Sequence, residues 1–374
     1  MRCSAAPIAF VAATWLTQID AFIATPGSRS SSIRCTHCST CGSTSPSQTG
    51  YRRAIARRSF RAGVVRRRNV VPAMSGDDQE DGGKWKQVGA GPEELLRQMS
   101  IPELAQNLDQ AESVYGQVHP QVAAALIPLS QALYANGDMG PARETCTRAL
   151  KILQVAFGQT PRVETAECLH TLAMIQQAED PQIGDKALGS QNMALELAMR
   201  VCGPESIEVA AYSRCLAQMS EEYSQYLTPG LPRPFYMPNP VPLYRQTLAI
   251  LEKTIGADHP EVASALDDVA SALLFWRDDE VTDTKAATLL PEAETLAARS
   301  LAISRESLGG EHPITAGREH NLGMIKRGLG REDDAREHFR RALAIREAAL
   351  GADHPDTKSS RALVEEKDSS STSS

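Results

Sequence analysis

The strongest constraint on the fold is a short segment that recurs along the chain. A glycine is followed four residues later by a proline at 116–120, 256–260, 309–313 and 351–355, with degenerate copies at 158–161 and 203–207. Glycine suits the left-handed backbone that ends a helix, and proline suits the first turn of the next helix. Each copy therefore predicts a helix end followed at once by a helix start, and the histidine before the proline is predicted to be a turn residue.

A second pattern recurs in register with the first. An apolar pair two residues apart begins at Leu150, Leu195, Leu248, Leu301 and Leu343, with spacings of 45, 53, 53 and 42 residues. A fixed order of anchors at such spacings indicates repeated supersecondary units. The patterns predict five units, at 121–161, 162–206, 207–259, 260–312 and 313–354.

The last unit shows the predicted content of a repeat. Residues 314–327 and 332–350 each carry apolar residues at helical spacing, separated by a Gly-Leu-Gly turn. Neither helix could bury its apolar stripe alone, so adjacent helix pairs must stack. The sequence thus predicts an all-α solenoid of antiparallel helix pairs, capped by helices over 93–98 and 102–115 at one end and 356–367 at the other.

The repeat resembles a known family. The segment from Arg340 to Glu347, followed by the turn at 351–355, is similar to the 42-residue tetratricopeptide variant of kinesin light chains, and the resemblance extends over roughly residues 92–365. It implies a right-handed solenoid that binds protein or peptide partners and acts as a scaffold or adaptor.

The resemblance also implies a binding face. In the family, asparagines on the first helix of each unit line the inner wall and hold extended peptides, and the matching residues here are Pro128, Thr171, Cys215, Asp268 and Asn321. Only Asn321 keeps the family's residue, so motor-cargo recognition is not carried over. With the preceding position of each unit, the candidate groove residues are His170, Arg214, Asp267, Asp268, His320 and Asn321. Pro128 is expected to bend or interrupt its helix.

Two units carry insertions. Residues 228–242 include six prolines and place Phe235, Tyr236 and Met237 on a predicted exposed loop. This loop is interpreted either as a partner contact or as a tolerated insertion whose aromatic side chains pack on the array. Residues 277–290 are acidic at their start and are expected to form a solvated loop or a helix extension.

The charge of the chain divides near residue 74. Residues 1–74 carry a net charge of +10 and the remainder −17, so the remainder would repel nucleic acid. Residues 1–21 have the layout of a signal peptide, and residues 22–74 are rich in Ser, Thr and Arg like a transit peptide. Together, with the Ala21-Phe22 junction, they resemble the bipartite leader of plastid proteins in algae with secondary plastids. Secretion, mitochondrial import and a retained tail on a cytosolic protein are the alternatives.

The remaining boundaries and chemistry follow. Residues 75–91 are predicted to be a linker, 92–367 the repeat domain, and 368–374 a disordered Ser/Thr tail. No phosphate loop, nucleophile elbow or paired metal motif occurs in the repeats, so no catalysis and no cofactor are expected. The apolar stretch from Ile8 to Leu16 is too short to span a bilayer, so no stable membrane insertion is expected. Cys35, Cys38 and Cys41 have metal-ligand spacing, but they lie in the predicted leader. An enzyme or small-molecule sensor on a helical-repeat scaffold is the other class considered.

Overall fold

A computed structural model describes residues 100–182, 184–227, 234, 237–275 and 283–365. Within these residues it contains twelve α-helices and no β-strand. The helices are α1 Ile101–Tyr115, α2 Pro120–Asn136, α3 Met139–Phe157, α4 Val163–Glu179, α5 Gly184–Val201, α6 Ile207–Ser224, α7 Pro240–Ile255, α8 Pro260–Phe275, α9 Asp283–Ser307, α10 Pro313–Gly328, α11 Glu332–Leu350 and α12 Pro355–Glu365.

The helices pack in chain order. Each helix contacts the next one along the chain, and the first helices of neighbouring units also meet, as α2 with α4 and α8 with α10. This nearest-neighbour packing is the defining property of a solenoid. The predicted all-α solenoid of helix pairs is confirmed.

The recurring turn works through its histidine. Nδ1 of His119, His259, His312 and His354 accepts a hydrogen bond from the backbone N–H two residues later, at 3.1–3.2 Å. An accepting Nδ1 carries no proton, so each ring caps the following helix in place of the usual serine or aspartate. The predicted turn role of these histidines is confirmed, and the hydrogen bond shows that each one also caps a helix.

The glycines of these turns differ from the predicted geometry. Gly256 and Gly351 have φ of 95° and 85°, but their ψ values of 152° and 164° lie outside the left-handed helical region. Gly137, in the turn inside a unit, has φ 95° and ψ 5° and does adopt it. The need for positive φ was therefore predicted correctly, whereas the left-handed helical conformation between units was not.

Several element boundaries agree with the sequence. The helix predicted over 332–350 spans Glu332–Leu350, and the capping helices Ile101–Tyr115 and Pro355–Glu365 are also found.

Prolines account for two differences from the sequence-based expectation. Pro128 does not interrupt α2, so the expectation that it could interrupt this helix was wrong. Pro240, placed by prediction in the Pro-rich loop, begins α7, because the Asn239 side chain caps Val241 N–H at 2.9 Å. The 277–290 insertion extends α9 from Asp283 onward.

The core is built from small and aliphatic side chains between helices. Cys146 and Cys168 are fully buried within it, and Cys202 and Cys215 are partly buried, all as free thiols. Among the described helices, none is long and apolar enough to cross a membrane. The predicted leader, linker and tail, and the predicted helix at 93–98, lie outside the described residues.

Candidate interaction surface

The candidate groove residues lie on α4, α6, α8 and α10, the first helices of successive units. These helices, with α2, are called the first-helix wall below. Its polar side chains do not converge on one point. They contact either the first helix of the next unit, as Arg214 does, or the second helix of their own unit, as His170 does.

The clearest bridge joins α6 to α8. Arg214 Nε lies 2.7 Å from Asp268 Oδ2, and its Nη1 lies 3.5 Å from Glu261 Oε2. The Asp268 carboxylate raises the pKa of Arg214, and Glu261 adds to it, against the opposing effect of burial. The Arg214 side chain is 24% exposed and that of Asp268 9%. Two predicted groove residues are therefore brought together, with the arginine still reachable from solvent.

A second bridge joins α8 to α10. Asn321 Nδ2 donates to Asp267 Oδ2 at 2.9 Å. Beside it, the buried Arg318 guanidinium donates through Nη2 to Ser264 Oγ at 3.0 Å. The one position that keeps the family's asparagine is thus engaged with another predicted groove residue, and both side chains are largely withdrawn from solvent.

His170 faces the neighbouring helices. Its Nδ1 lies 2.9 Å from Gln191 Oε1 on α5, and its ring stacks on Tyr212 of α6 at a centroid distance of 4.7 Å. Gln191 is fully buried and donates to the Tyr212 backbone carbonyl at 2.9 Å. His170 therefore joins units two and three.

His320 has the same position in its unit and a similar role. Its Nδ1 lies 3.5 Å from Arg346 Nη1 and 3.4 Å from Ser360 Oγ, and its ring is tilted against Phe339 at 5.5 Å. Burial, followed by the positive charges of Arg346 and Arg327, lowers the pKa of His320 to about 3. The ring is neutral at physiological pH and packs against α11 and α12.

The wall changes character toward its N-terminal half. There Gln131 Nε2 approaches Thr171 Oγ1 at 3.5 Å, Cys215 Sγ lies 3.3 Å from Met174 Sδ, and Gln177 donates to Glu222 at 2.9 Å. Burial and the nearby Glu222 charge raise the pKa of Cys215 to about 12, so this thiol is not a nucleophile at neutral pH. Amide and sulfur groups predominate here, in contrast to the ion pairs on α6 and α8.

The Pro-rich loop was assigned three contact residues. Phe235 and Tyr236 lie outside the described residues. Met237 is 7% exposed and packs in the core shared by units two to four. The prediction that Met237 is exposed was therefore wrong, because its flexible thioether fills an apolar space between helices.

The sequence search missed a buried ionic cluster on α9, α10 and α11. Glu319, whose side chain is 2% exposed, contacts Arg305 and lies 2.6 Å from Nδ1 of His338. The sequence did contain a signal for this cluster, because Glu319 occupies the position that Leu126, Leu169 and Leu266 occupy in other units. Among the residues that the structure describes, no group of three or more His, Cys, Asp or Glu side chains could hold a metal ion.

The repeats match a known family. A family model described as tetratricopeptide repeat matches residues 286–348 and 319–364. The matched residues resemble tetratricopeptide repeats, and they make up about a fifth of the chain. Among curated protein sequences, none matches the chain.

Solved structures extend the tetratricopeptide comparison over more of the chain. BtubC (BKLC) from P. vanneervenii is 19% identical, with 68% of this chain and 92% of that one covered and a TM-score of 0.51. A Podosopora anserina structure, named for kinesin light chain and nearly identical TPR-like repeats, is 21% identical over 62% and 97% of the chains, with a TM-score of 0.47. At this identity BtubC shows a shared fold. The similarity to kinesin-light-chain-like repeat proteins that the sequence predicted is confirmed as a similarity of fold.

Proposed function

We propose that this protein is a non-catalytic scaffold whose first-helix wall binds an extended segment of a partner protein. The observation that carries the proposal is the Arg214–Asp268 ion pair on that wall, in which the Arg214 side chain is 24% exposed. Apolar packing is sufficient to stack such helices, so polar side chains along the wall are more than the fold requires. Tetratricopeptide repeats, whose fold serves protein interaction, support the same function.

The proposal is tested by capture of partners on the purified chain with Arg214 changed to Ala. Arg214 is a partly exposed cation on the wall, and truncating it also frees the Asp268 carboxylate. We expect recovery of bound proteins to fall at least about fivefold, as for loss of an interface residue worth about 1 kcal/mol or more. Arg299→Ala is the matched control, because Arg299 forms a similar ion pair with Glu252 between the second helices α7 and α9. Equal recovery with both variants contradicts the wall as the binding face.

The Pro-rich loop is the second proposed contact. Rigid aromatic side chains are effective interface anchors, so Phe235 and Tyr236 are proposed to touch the same partner. A Phe235→Ala, Tyr236→Ala double variant is expected to weaken capture without lowering the unfolding midpoint. Unchanged capture assigns the loop to a tolerated insertion.

Plastid import is proposed from the leader's composition. Residues 1–74 fused to a fluorescent reporter should direct it to the plastid of an alga with secondary plastids. The same fusion lacking residues 1–21 should remain in the cytosol. A reporter secreted, sent to mitochondria or left in the cytosol by the complete leader contradicts this localisation.

A further inference from the structure

A groove of about 300 Å³ opens among α9, α10 and α11. It is called the α9–α11 groove, and its apolar floor consists of Ala298, Leu301 and Ala302 of α9 and Leu322 of α10. Its volume lies at the lower end of the range for small-molecule sites. The two alanines are exposed, so this floor is open to solvent.

Charged side chains surround that floor. Arg305 of α9, Lys326 of α10 and His338 of α11 line it together with Glu294. The Lys326 side chain is 16% exposed and that of Arg305 47%. Two cations from different helices therefore face one apolar groove.

The acids near the groove are held by other protein groups. Glu294 accepts from Lys326 Nζ at 2.9 Å and also contacts Arg331. Burial opposes its ionisation, but the bonds from Lys326 and Arg331 outweigh burial and lower the pKa of Glu294. Asp334 Oδ2 lies 3.8 Å from both Lys326 Nζ and Arg331 Nε, so the two acids share these two bases and together repel an incoming anion little.

Glu319 lies behind the groove in a similar state. Burial disfavours its charge, yet the hydrogen bond from His338 and the Arg305 charge outweigh this and lower the pKa of Glu319. Arg305 reaches it through Nη2. A guanidinium has five N–H donors and an ammonium three, so Arg305 and Lys326 retain donor capacity for a ligand.

The internal repeats show that this charge is not needed for stacking. The positions equivalent to Glu319, Lys326 and His338 are uncharged in each of the other four units. The equivalents of Glu319 are Leu126, Leu169, Ser213 and Leu266, those of Lys326 are Leu133, Gln176, Ser220 and Leu273, and those of His338 are Thr145, Ser190, Leu243 and Leu296. Those four units stack without ions at these sites. A buried ionic cluster also carries a desolvation cost, which indicates a role other than stability.

We propose that the α9–α11 groove binds an acidic residue, next to an apolar residue, of a partner protein. The partner's carboxylate accepts from Arg305 and Lys326, and its apolar neighbour covers Ala298, Ala302 and Leu322. Apolar floor and paired donors favour this ligand over inorganic phosphate, which has no apolar part. The inference rests on the proposed scaffold function and adds a second contact site, separate from the Arg214–Asp268 pair on α6 and α8.

The test uses the full chain and a capped dipeptide of leucine and glutamate, followed by NMR shifts of the Ala298 and Ala302 methyl groups. We expect saturable shifts with the glutamate dipeptide and at least a tenfold weaker response with its glutamine analogue. Inorganic phosphate at matched ionic strength should not compete. Equal response to the glutamine analogue, or competition by phosphate, overturns the proposal, and the phosphate result would indicate a simple anion site.

Three variants locate the binding. Lys326→Met removes one donor and leaves Arg331 to hold Glu294, and Ala302→Leu fills the groove while keeping every charge. Both should raise the dipeptide Kd at least tenfold. The control Lys253→Met, on α7, breaks an exposed ion pair with Glu205, which precedes α6, and should have no effect. Unchanged binding in Lys326→Met or Ala302→Leu overturns the groove, whereas partner capture sensitive to Arg214→Ala would still support the scaffold function.

Discussion

One position in the repeat illustrates how local chemistry varies within a fixed register. Ile127, His170, Arg214, Asp267 and His320 are equivalent by sequence, and four of the five are polar. Ile127 is buried, and the polar four contact a neighbouring helix. Polar character at this position therefore does not by itself indicate an open groove, and the exposed fraction of the side chain, 24% for Arg214, is the better guide.

His320 gives a prediction about pH. Its pKa is about 3 in the folded chain, below the unfolded value of about 6.5, so the unfolded chain binds the proton more tightly. The stability that this ring provides is complete above pH 6.5 and is lost as the pH falls toward 3, by at most about 1.4 kcal/mol per pH unit.

His320→Gln should remove that pH dependence. We expect the free energy of unfolding in urea to decrease less between pH 7 and pH 5 in the variant than in the wild type. The wild-type His320 ring signals should not shift over the same range in NMR. Parallel pH profiles for the two proteins would contradict a buried neutral ring.

At the scale of elements, the α10–α11 pair depends on close approach. A Cβ added to Gly323 would lie 2.7 Å from Phe339 Cε1 and 3.1 Å from the Ala335 carbonyl oxygen. Phe339 is itself 2% exposed and has little room to move. Gly323 therefore sets the distance between the two helices, whereas Gly317 on the same helix has no atom within 4 Å of an added Cβ.

The two glycines form a matched pair of variants. Gly323→Ala should lower the free energy of unfolding by about 1–2 kcal/mol, because overpacking exceeds the gain in helix propensity. Gly317→Ala should raise it by about 0.5–1 kcal/mol through propensity alone. Both are measured by urea unfolding monitored by circular dichroism. Equal effects of the two substitutions would show that α10 and α11 are not in close contact.

At the scale of the whole array, coupling passes from neighbour to neighbour. α12 covers the last unit, where Arg346 donates to Ser360 Oγ at 2.7 Å and to the Asp356 carbonyl at 3.1 Å. Thr357 and Ser360 are fully buried in that contact. Removing α12 should expose one face of α11 and leave distant units unchanged.

Truncation tests this coupling. A chain ending at residue 353 should lose amide hydrogen-exchange protection in α10 and α11, with α2 to α5 retaining theirs. A chain ending at residue 365, which keeps α12, should match the full chain throughout. A uniform loss of protection over all helices would indicate a single cooperative unit in place of a linear array.

The solenoid follows from the sequence, because the turns and apolar pairs repeated in register specify where helices stop, where they start and which faces are apolar. The sequence predicted the span of α11 to the residue, since Glu332 follows a glycine turn and Gly351 ends the stripe. It also predicted the Arg214, Asp267, Asp268 and Asn321 positions on one set of helices. These features are local, and local spacing is visible in the chain.

The tertiary structure alone decided which side chains meet. Asp268 pairs with Arg214, 54 positions earlier, and Met237 fills a core made by three units. The Glu319 cluster combines side chains of α9, α10 and α11, and no spacing rule predicts such a meeting. The direction of a side chain depends on the neighbour against which its helix packs, so the contacts that form the proposed binding surfaces depend on how the units stack.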